Sequence, residues 1–152
     1  MAIVSIDQLY FMATGGGVTF GGGEPLLYSD FVVAFRALCG ETWNLSVETS
    51  LNVPTSQLEK IFPAVNHFIV DLKESNESIY RSYTGKGNQQ VIDNLNWLLA
   101  HLAVENITVK LPHIPGYNTA DDVAVSEAWL KELGIFRIDH LTYRTDDHIK
   151  KV

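Results

Sequence analysis

Residues 15–27 read "GGGVTFGGGEPLL". Six glycines fall within nine residues, divided by the β-favouring Val18-Thr19-Phe20 and stopped by Glu24-Pro25. Glycines at the end of a strand permit positive φ and let another group approach the bare backbone. They suit either a tight turn packed on its neighbours or the wall of a ligand site. The common phosphate loops do not fit. G-x-G-x-x-G would need glycine where Phe20 stands, and no Gly-Lys-Ser/Thr triplet exists for a P-loop.

Outward from this stretch the chain repeats one unit of strand, turn and helix. Strands are expected at Gly17–Phe20, Asn44–Glu48, Phe68–Asp71, Ile107–Leu111 and Ile135–Leu141. Their apolar centres suggest strands covered on both faces. Helices are expected at Asp30–Leu38, ending at Gly40, and at Ser56–Phe62, with a capping box formed by Ser56 and Glu59. A long helix follows around Gln89–Ala103, capped by Asn88. A last one is capped by Asn118 or Thr119 and stops at Gly134. Glu74–Tyr83 reads as a short helix or an irregular excursion. This alternation implies an α/β fold with a parallel sheet, barrel-like or doubly wound.

Polar residues gather where the strands end: Gly21-Gly22-Gly23-Glu24-Pro25, Glu48-Thr49-Ser50, Asp71-Leu72-Lys73, Lys110 before "PHIPGYN", and Thr142-Tyr143-Arg144. In a parallel β/α sheet these ends share one face, the face where ligands bind.

The 152 residues suit a single domain, 1–152, with a sizeable core. A net charge of −7 argues against nucleic acid, whose phosphates call for clustered Lys and Arg. No apolar run approaches the ~18–20 residues of a membrane span. "MAIVSIDQLY" lacks the basic flank and long apolar core of a signal peptide. Cys39 is the single cysteine, which excludes an internal disulfide and suits a reducing cytoplasm. The five histidines show no metal spacing, so no metal ligand is assigned. No Gly-x-Ser-x-Gly elbow supports a serine hydrolase.

The strand-end segments together resemble the glycyl-radical-enzyme activating branch of the radical SAM family, the pyruvate formate-lyase activating enzymes and relatives. "GGGVTFGGGEPLL" is similar to that family's G-G-G-V-T-x-S-G-G-E-P-L. "VETS" resembles its D/E-T-S/N-G, and "IVDLK" its strand ending Asp-x-Lys. "YRSYTG" with "NLNWLLAH" resembles its L-T-G and asparagine-led helix. "VKLPHIPGYN" resembles I-R-I-P-L-I-P-G-Y-N, and "ELGIFRIDHLTYR" its late strand ending Pro-Tyr-His. The likeness runs along the whole chain in the family's order.

The resemblance implies a partial TIM-like (β/α) barrel, with about five strands present here and the first β/α unit missing. It also implies a 4Fe–4S cluster on a C-x-x-x-C-x-x-C loop and reductive cleavage of S-adenosylmethionine to a 5′-deoxyadenosyl radical. That radical takes a hydrogen atom from a glycine of a partner such as pyruvate formate-lyase. No cysteine precedes Cys39, so this chain alone is expected neither to hold the cluster nor to perform the chemistry, and no catalytic residue is assigned. The expected function is the S-adenosylmethionine-binding portion of such an enzyme. The alternative is a non-enzymatic remnant or binding module of the same fold.

The resemblance places Gly21, Gly22, Gly23, Glu24, Pro25, Glu48, Ser50, Asp71, Lys73, Lys110 and Arg144 at the S-adenosylmethionine site. Glu24 would fix the Gly-rich turn or face the methionine amino group. Glu48 would meet the ribose hydroxyls or be a surface charge. Lys73 would meet the methionine carboxylate with Asp71 orienting it, or the two form a structural ion pair. Lys110 would face the cavity or solvent. Gly21 replaces the family's Ser, Leu51 a common Gly, Lys110 an Arg, and Arg144 a His near the nucleoside. A missing first unit would leave Gly17–Phe20 as an open edge, from which self-association is expected.

Overall fold

The computed structural model describes residues 9–143. Strands β1 (Gly17–Phe20), β2 (Asn44–Thr49), β3 (His67–Asp71), β4 (Ile107–His113) and β5 (Ile138–Thr142) form one sheet in the order 1-2-3-4-5. Every neighbouring pair is parallel. Between them run α1 (Ser29–Cys39), α2 (Thr55–Ile61), α3 (Glu77–Thr84), α4 (Gln89–His101) and α5 (Ala120–Glu132). An unreversed strand order is that of a barrel wound in one direction. A doubly wound sheet reverses its order at a switch point.

Right-handed crossovers that all step the same way place all the helices on one face of the sheet. The core shows this. Val47, Phe68, Val70, Ile107, Val109 and Leu111 leave the strands toward Leu58, Ile61, Leu95, Leu98 and Leu130 of the helices. Each such side chain contributes roughly 1.5–3 kcal/mol by leaving water. The register puts Ser46 beside His67, Glu48 beside Ile69 and Thr108, and Asp71 beside Lys110 on the opposite face. That face is half-buried. The expectation that the strands are covered on both faces is therefore corrected: helices cover one face, and the other is a polar, concave wall.

Two glycines have structural causes. A Cβ on Gly17 would lie 1.7 Å from the Asn44 carbonyl oxygen, so β1 packs on β2 closer than any side chain allows. Gly22 has φ 99°, a conformation other residues rarely adopt.

Several boundaries and caps differ from expectation. Ser56 lies inside α2, whose N-cap is Pro54 with no side-chain cap bond, so the Ser56–Glu59 capping box does not form. Asn88 stands at the N-cap of α4, but its amide instead donates to the Ser75 carbonyl at 2.6 Å. Thr119, not Asn118, caps α5, in a reciprocal capping box with Asp122. Within the uncertain excursion Glu74–Tyr83 a regular helix begins at Glu77 and runs to Thr84, started by the Asn76 side chain, which accepts from the Ser78 and Ile79 N–H groups. β4 runs on through Pro112 and His113. Ile135 precedes β5 and is buried where the chain leaves α5, its N–H donating to the Leu130 carbonyl.

Candidate functional site

The ends of β1, β2 and β3 enclose a cavity of about 200 Å³ lined by Gly22, Gly23, Glu24, Glu48, Thr49, Ser50, Asp71 and Lys73. Seven of these were expected at a site from the sequence. Ligand pockets for molecules of drug size usually measure roughly 300–1,000 Å³. Glu24, Ser50 and Lys73 also form part of the wall of a neighbouring cleft of about 500 Å³ that extends to Asn52, Tyr80, Thr84 and Lys86.

Glu24 joins two strand ends. Its Oε1 accepts from the Thr49 hydroxyl at 2.6 Å and from Leu26 N–H at 3.2 Å. Its Oε2 accepts from the Ser50 N–H at 3.0 Å and the Ser50 hydroxyl at 2.7 Å. Of its two expected roles, the structure supplies the first, fixing the turn. Thr49 is the linchpin that sequence reasoning missed: buried, it donates to Glu24 and accepts from the Leu51 N–H at 2.9 Å. Leu51, where a glycine is common, adopts φ 57° with its side chain fully buried.

Lys73 projects from the end of β3 into contact with the Asp71 carboxylate and donates to the Tyr143 hydroxyl. That hydroxyl donates in turn to the Asp71 carboxylate at 3.1 Å. Burial pulls the Lys73 ammonium down, but the hydrogen bonds and negative charge of Asp71 and Tyr143 outweigh it, so its pKa is raised. Burial also raises the phenols of Tyr143 and Tyr80. Tyr143 was visible in the sequence only as a member of the last strand end. Its partnership with Lys73 spans the rim of the sheet and has no local pattern.

Glu48 accepts from the Lys110 ammonium at 2.7 Å, and both side chains are half-buried on the concave face. Lys110 therefore sits beside the cavity through Glu48. Gly21 and Pro25 line, with Thr19, Phe20, Tyr28 and Phe31, a separate apolar hollow of about 450 Å³. A Cβ on Gly21 would lie 3.6 Å from the Glu48 Cβ, so Gly21 also borders the cavity's Glu48. Arg144 lies outside the described residues.

Glu24, Glu48 and Asp71 bring three carboxylates together against the ammonium groups of Lys73 and Lys110. The site thus holds one negative charge in excess and offers both signs to a ligand. A zwitterion bearing an additional positive charge meets complementary groups there, and a carboxylate accepts both hydroxyls of a diol. The donor set fits S-adenosylmethionine.

It does not fit an iron–sulfur cluster, which needs several thiolates. Cys39, the single cysteine, is buried against Trp43 and Leu45 at the C-terminal end of α1. The chain there is about to enter β2, so the thiol lies at the end of the sheet away from the cavity. Among the described residues no group of three or more His, Cys, Asp or Glu is placed to hold a metal ion. No described helix is long and apolar enough to cross a membrane.

Comparison with known proteins agrees with this geometry. Residues 5–127 match the radical SAM superfamily. The chain is 37% identical to the (2S)-3-sulfopropanediol dehydratase activating enzyme of Klebsiella oxytoca over 84% of its own length and 41% of that protein's. It is 33% identical to the indoleacetate decarboxylase activating enzyme of Tractidigestivibacter scatoligenes over 70% of its length and 34% of that protein's. The chain thus spans less than half the length of these curated relatives. Its fold is shared with a crystallised domain of pyruvate-formate lyase-activating enzyme from Bacteroides vulgatus, at TM-score 0.70 and 23% identity, covering 88% of this chain and 87% of that one. The resemblance carried by the strand-end motifs is borne out, and so is the partial barrel. The chain belongs to the radical SAM superfamily, and the relatives it matches here are activating enzymes.

Proposed function

We propose that this chain is the S-adenosylmethionine-binding portion of a glycyl-radical-enzyme activating enzyme. In the whole reaction S-adenosylmethionine is cleaved reductively and supplies the radical that removes a hydrogen atom from a glycine of a pyruvate formate-lyase-like partner. The observation that carries this reading is the grouping of Glu24, Glu48, Asp71 and Lys73 around one cavity at three successive strand ends. Support comes from the curated relatives, which are activating enzymes.

In this reading Lys73 takes the methionine carboxylate, oriented by Asp71 and Tyr143. Gly22 and Gly23 give the ligand access to backbone groups. Glu24 holds β1 and β2 together through donors from Leu26, Thr49 and Ser50 and acts on the methionine amino group through its negative charge. Glu48, held by Lys110, takes the ribose hydroxyls. Ser50 is committed to Glu24 and shapes the wall. The 4Fe–4S cluster is not held by residues of this chain, which is consequently inactive alone.

Equilibrium dialysis with radiolabelled S-adenosylmethionine tests the reading. Saturable binding that weakens at least tenfold in Lys73→Met supports it. Binding no stronger than in that variant sinks it. A second reading, a binding module of the same fold without radical chemistry, is favoured by the position of Cys39. It predicts weak binding at best and no 5′-deoxyadenosine even when a C-x-x-x-C-x-x-C segment is joined to the chain and the protein is reconstituted with iron, sulfide and dithionite, where the first reading predicts S-adenosylmethionine cleavage.

The reading carries three further proposals: a single domain over residues 1–152, a cytoplasmic location, and self-association. The outer side of β1 carries no strand partner among the described residues. Tyr28 and Phe31 are exposed beside it. Unpaired edges of this kind recruit other chains. Light scattering at high concentration should show species larger than a monomer, and a clean monomer would dismiss the idea.

A further inference from the structure

Glu74 is 2% exposed, yet among the described residues no lysine or arginine pairs with it. Its carboxylate is satisfied by neutral donors instead. Oε1 accepts from the Ser126 hydroxyl at 2.6 Å, the Ser75 N–H at 2.8 Å and the Asn76 N–H at 3.2 Å. Oε2 accepts from the Asn118 amide at 3.2 Å. Asn118 also donates to the Pro112 carbonyl and accepts from the Ile114 N–H at 2.6 Å. Asn88 holds the same backbone from the other side, through the carbonyl of Ser75.

A buried carboxylate without a cation is costly, and an apolar side chain would fill the space more cheaply. What Glu74 provides is one specified arrangement. It ties the segment after β3 to α5 and to the turn after β4. Side chains alternate along an extended segment. Leu72 and Glu74, which flank Lys73 in sequence, are both buried on the side of the helices, so Lys73 between them is turned the other way, toward the cavity.

We propose that Glu74 is a positioning residue for Lys73. It locks the segment carrying the ammonium so that Lys73, Asp71 and Tyr143 meet at the cavity wall. The ligand part of this inference rests on the S-adenosylmethionine site proposed above. The positioning part concerns the free protein.

The test compares wild type with Glu74→Gln, Ser126→Ala and Leu98→Val, a core change remote from Glu74. Gln keeps the shape but turns one acceptor into a donor facing donors. Two quantities are read: the titration of Lys73 by NMR at its side-chain carbon, and S-adenosylmethionine affinity by equilibrium dialysis. In Glu74→Gln, Lys73 should titrate lower, nearer an ordinary lysine, and affinity should fall about tenfold. Ser126→Ala should shift both the same way by less, and Leu98→Val should change neither. Lys73 titrating as in wild type in both Glu74→Gln and Ser126→Ala would overturn the proposal and leave Glu74 a structural carboxylate. Should Glu74→Gln not fold, Ser126→Ala decides. Should wild type bind no S-adenosylmethionine, the proposed function fails, while the Lys73 titration still decides the positioning role.

Discussion

Glu24 at the end of β1 grips Ser50 at the end of β2 twice, accepting from its N–H at 3.0 Å and its hydroxyl at 2.7 Å. With Thr49 and Leu26 also donating, one carboxylate closes the Gly-rich turn onto its neighbour. Glu24→Ala leaves the Ser50 N–H and the buried Thr49 hydroxyl without this partner. The expected loss is about 2–4 kcal/mol in urea unfolding. Glu24→Gln should lose less, because its remaining oxygen still accepts.

Leu51 sets two effects against each other. Its φ of 57° costs roughly 1–2 kcal/mol for a residue with a Cβ. Its side chain is fully buried, and truncating a buried leucine costs roughly 2–5 kcal/mol. Burial is the larger, so Leu51→Gly is expected to destabilise the fold although it relieves the backbone. A rise in urea midpoint would show that strain dominates.

The alkaline limb of the stability curve follows from raised pKa values. Folded Lys73, Tyr80 and Tyr143 hold their protons to higher pH than in the unfolded chain. Their stabilisation is complete below the unfolded values of about 10 and is lost as pH rises through the folded ones. Thermal melts from pH 9 to 12 should show this fall, and Tyr143→Phe should make it shallower.

On the acid side the sign reverses. Burial, helped by the charge of Arg137, lowers the pKa of His67. The unfolded chain therefore binds the proton first, and stability falls as pH drops below about 6.5 toward the folded value. His67→Asn should remove this part of the slope between pH 7 and 5. An unchanged slope would assign it to the carboxylates.

At the site, Glu48→Gln should weaken S-adenosylmethionine binding by about tenfold and free Lys110 from its ion pair. Equilibrium dialysis reads the change, and an affinity equal to that of wild type would remove Glu48 from the ligand contacts.

The strands were legible because Val47, Phe68, Val70 and Val109 mark them with apolar, mostly β-branched side chains. The strand-end residues were legible because β/α topology brings such ends to one face. The concave wall was not. Ser46 and Thr108 lie inside the expected strands and His67 just before one, and the side they share appears only when the register is known. Asn88 and Asn118 carry the composition of helix caps, yet their amides serve backbone and side-chain partners elsewhere. Glu74 and Tyr143 acquire their partners from 52 and 72 residues away, which no local window reports.

The two-sided character of β2, β3 and β4 makes their alignment self-correcting. Sliding β3 by one position would drive His67 and Asp71 beneath the helices and turn Phe68 and Val70 toward the concave wall. A frame kept this way should tolerate insertions in the loops but not a single-residue deletion inside β3, where every later side chain of the strand would change sides.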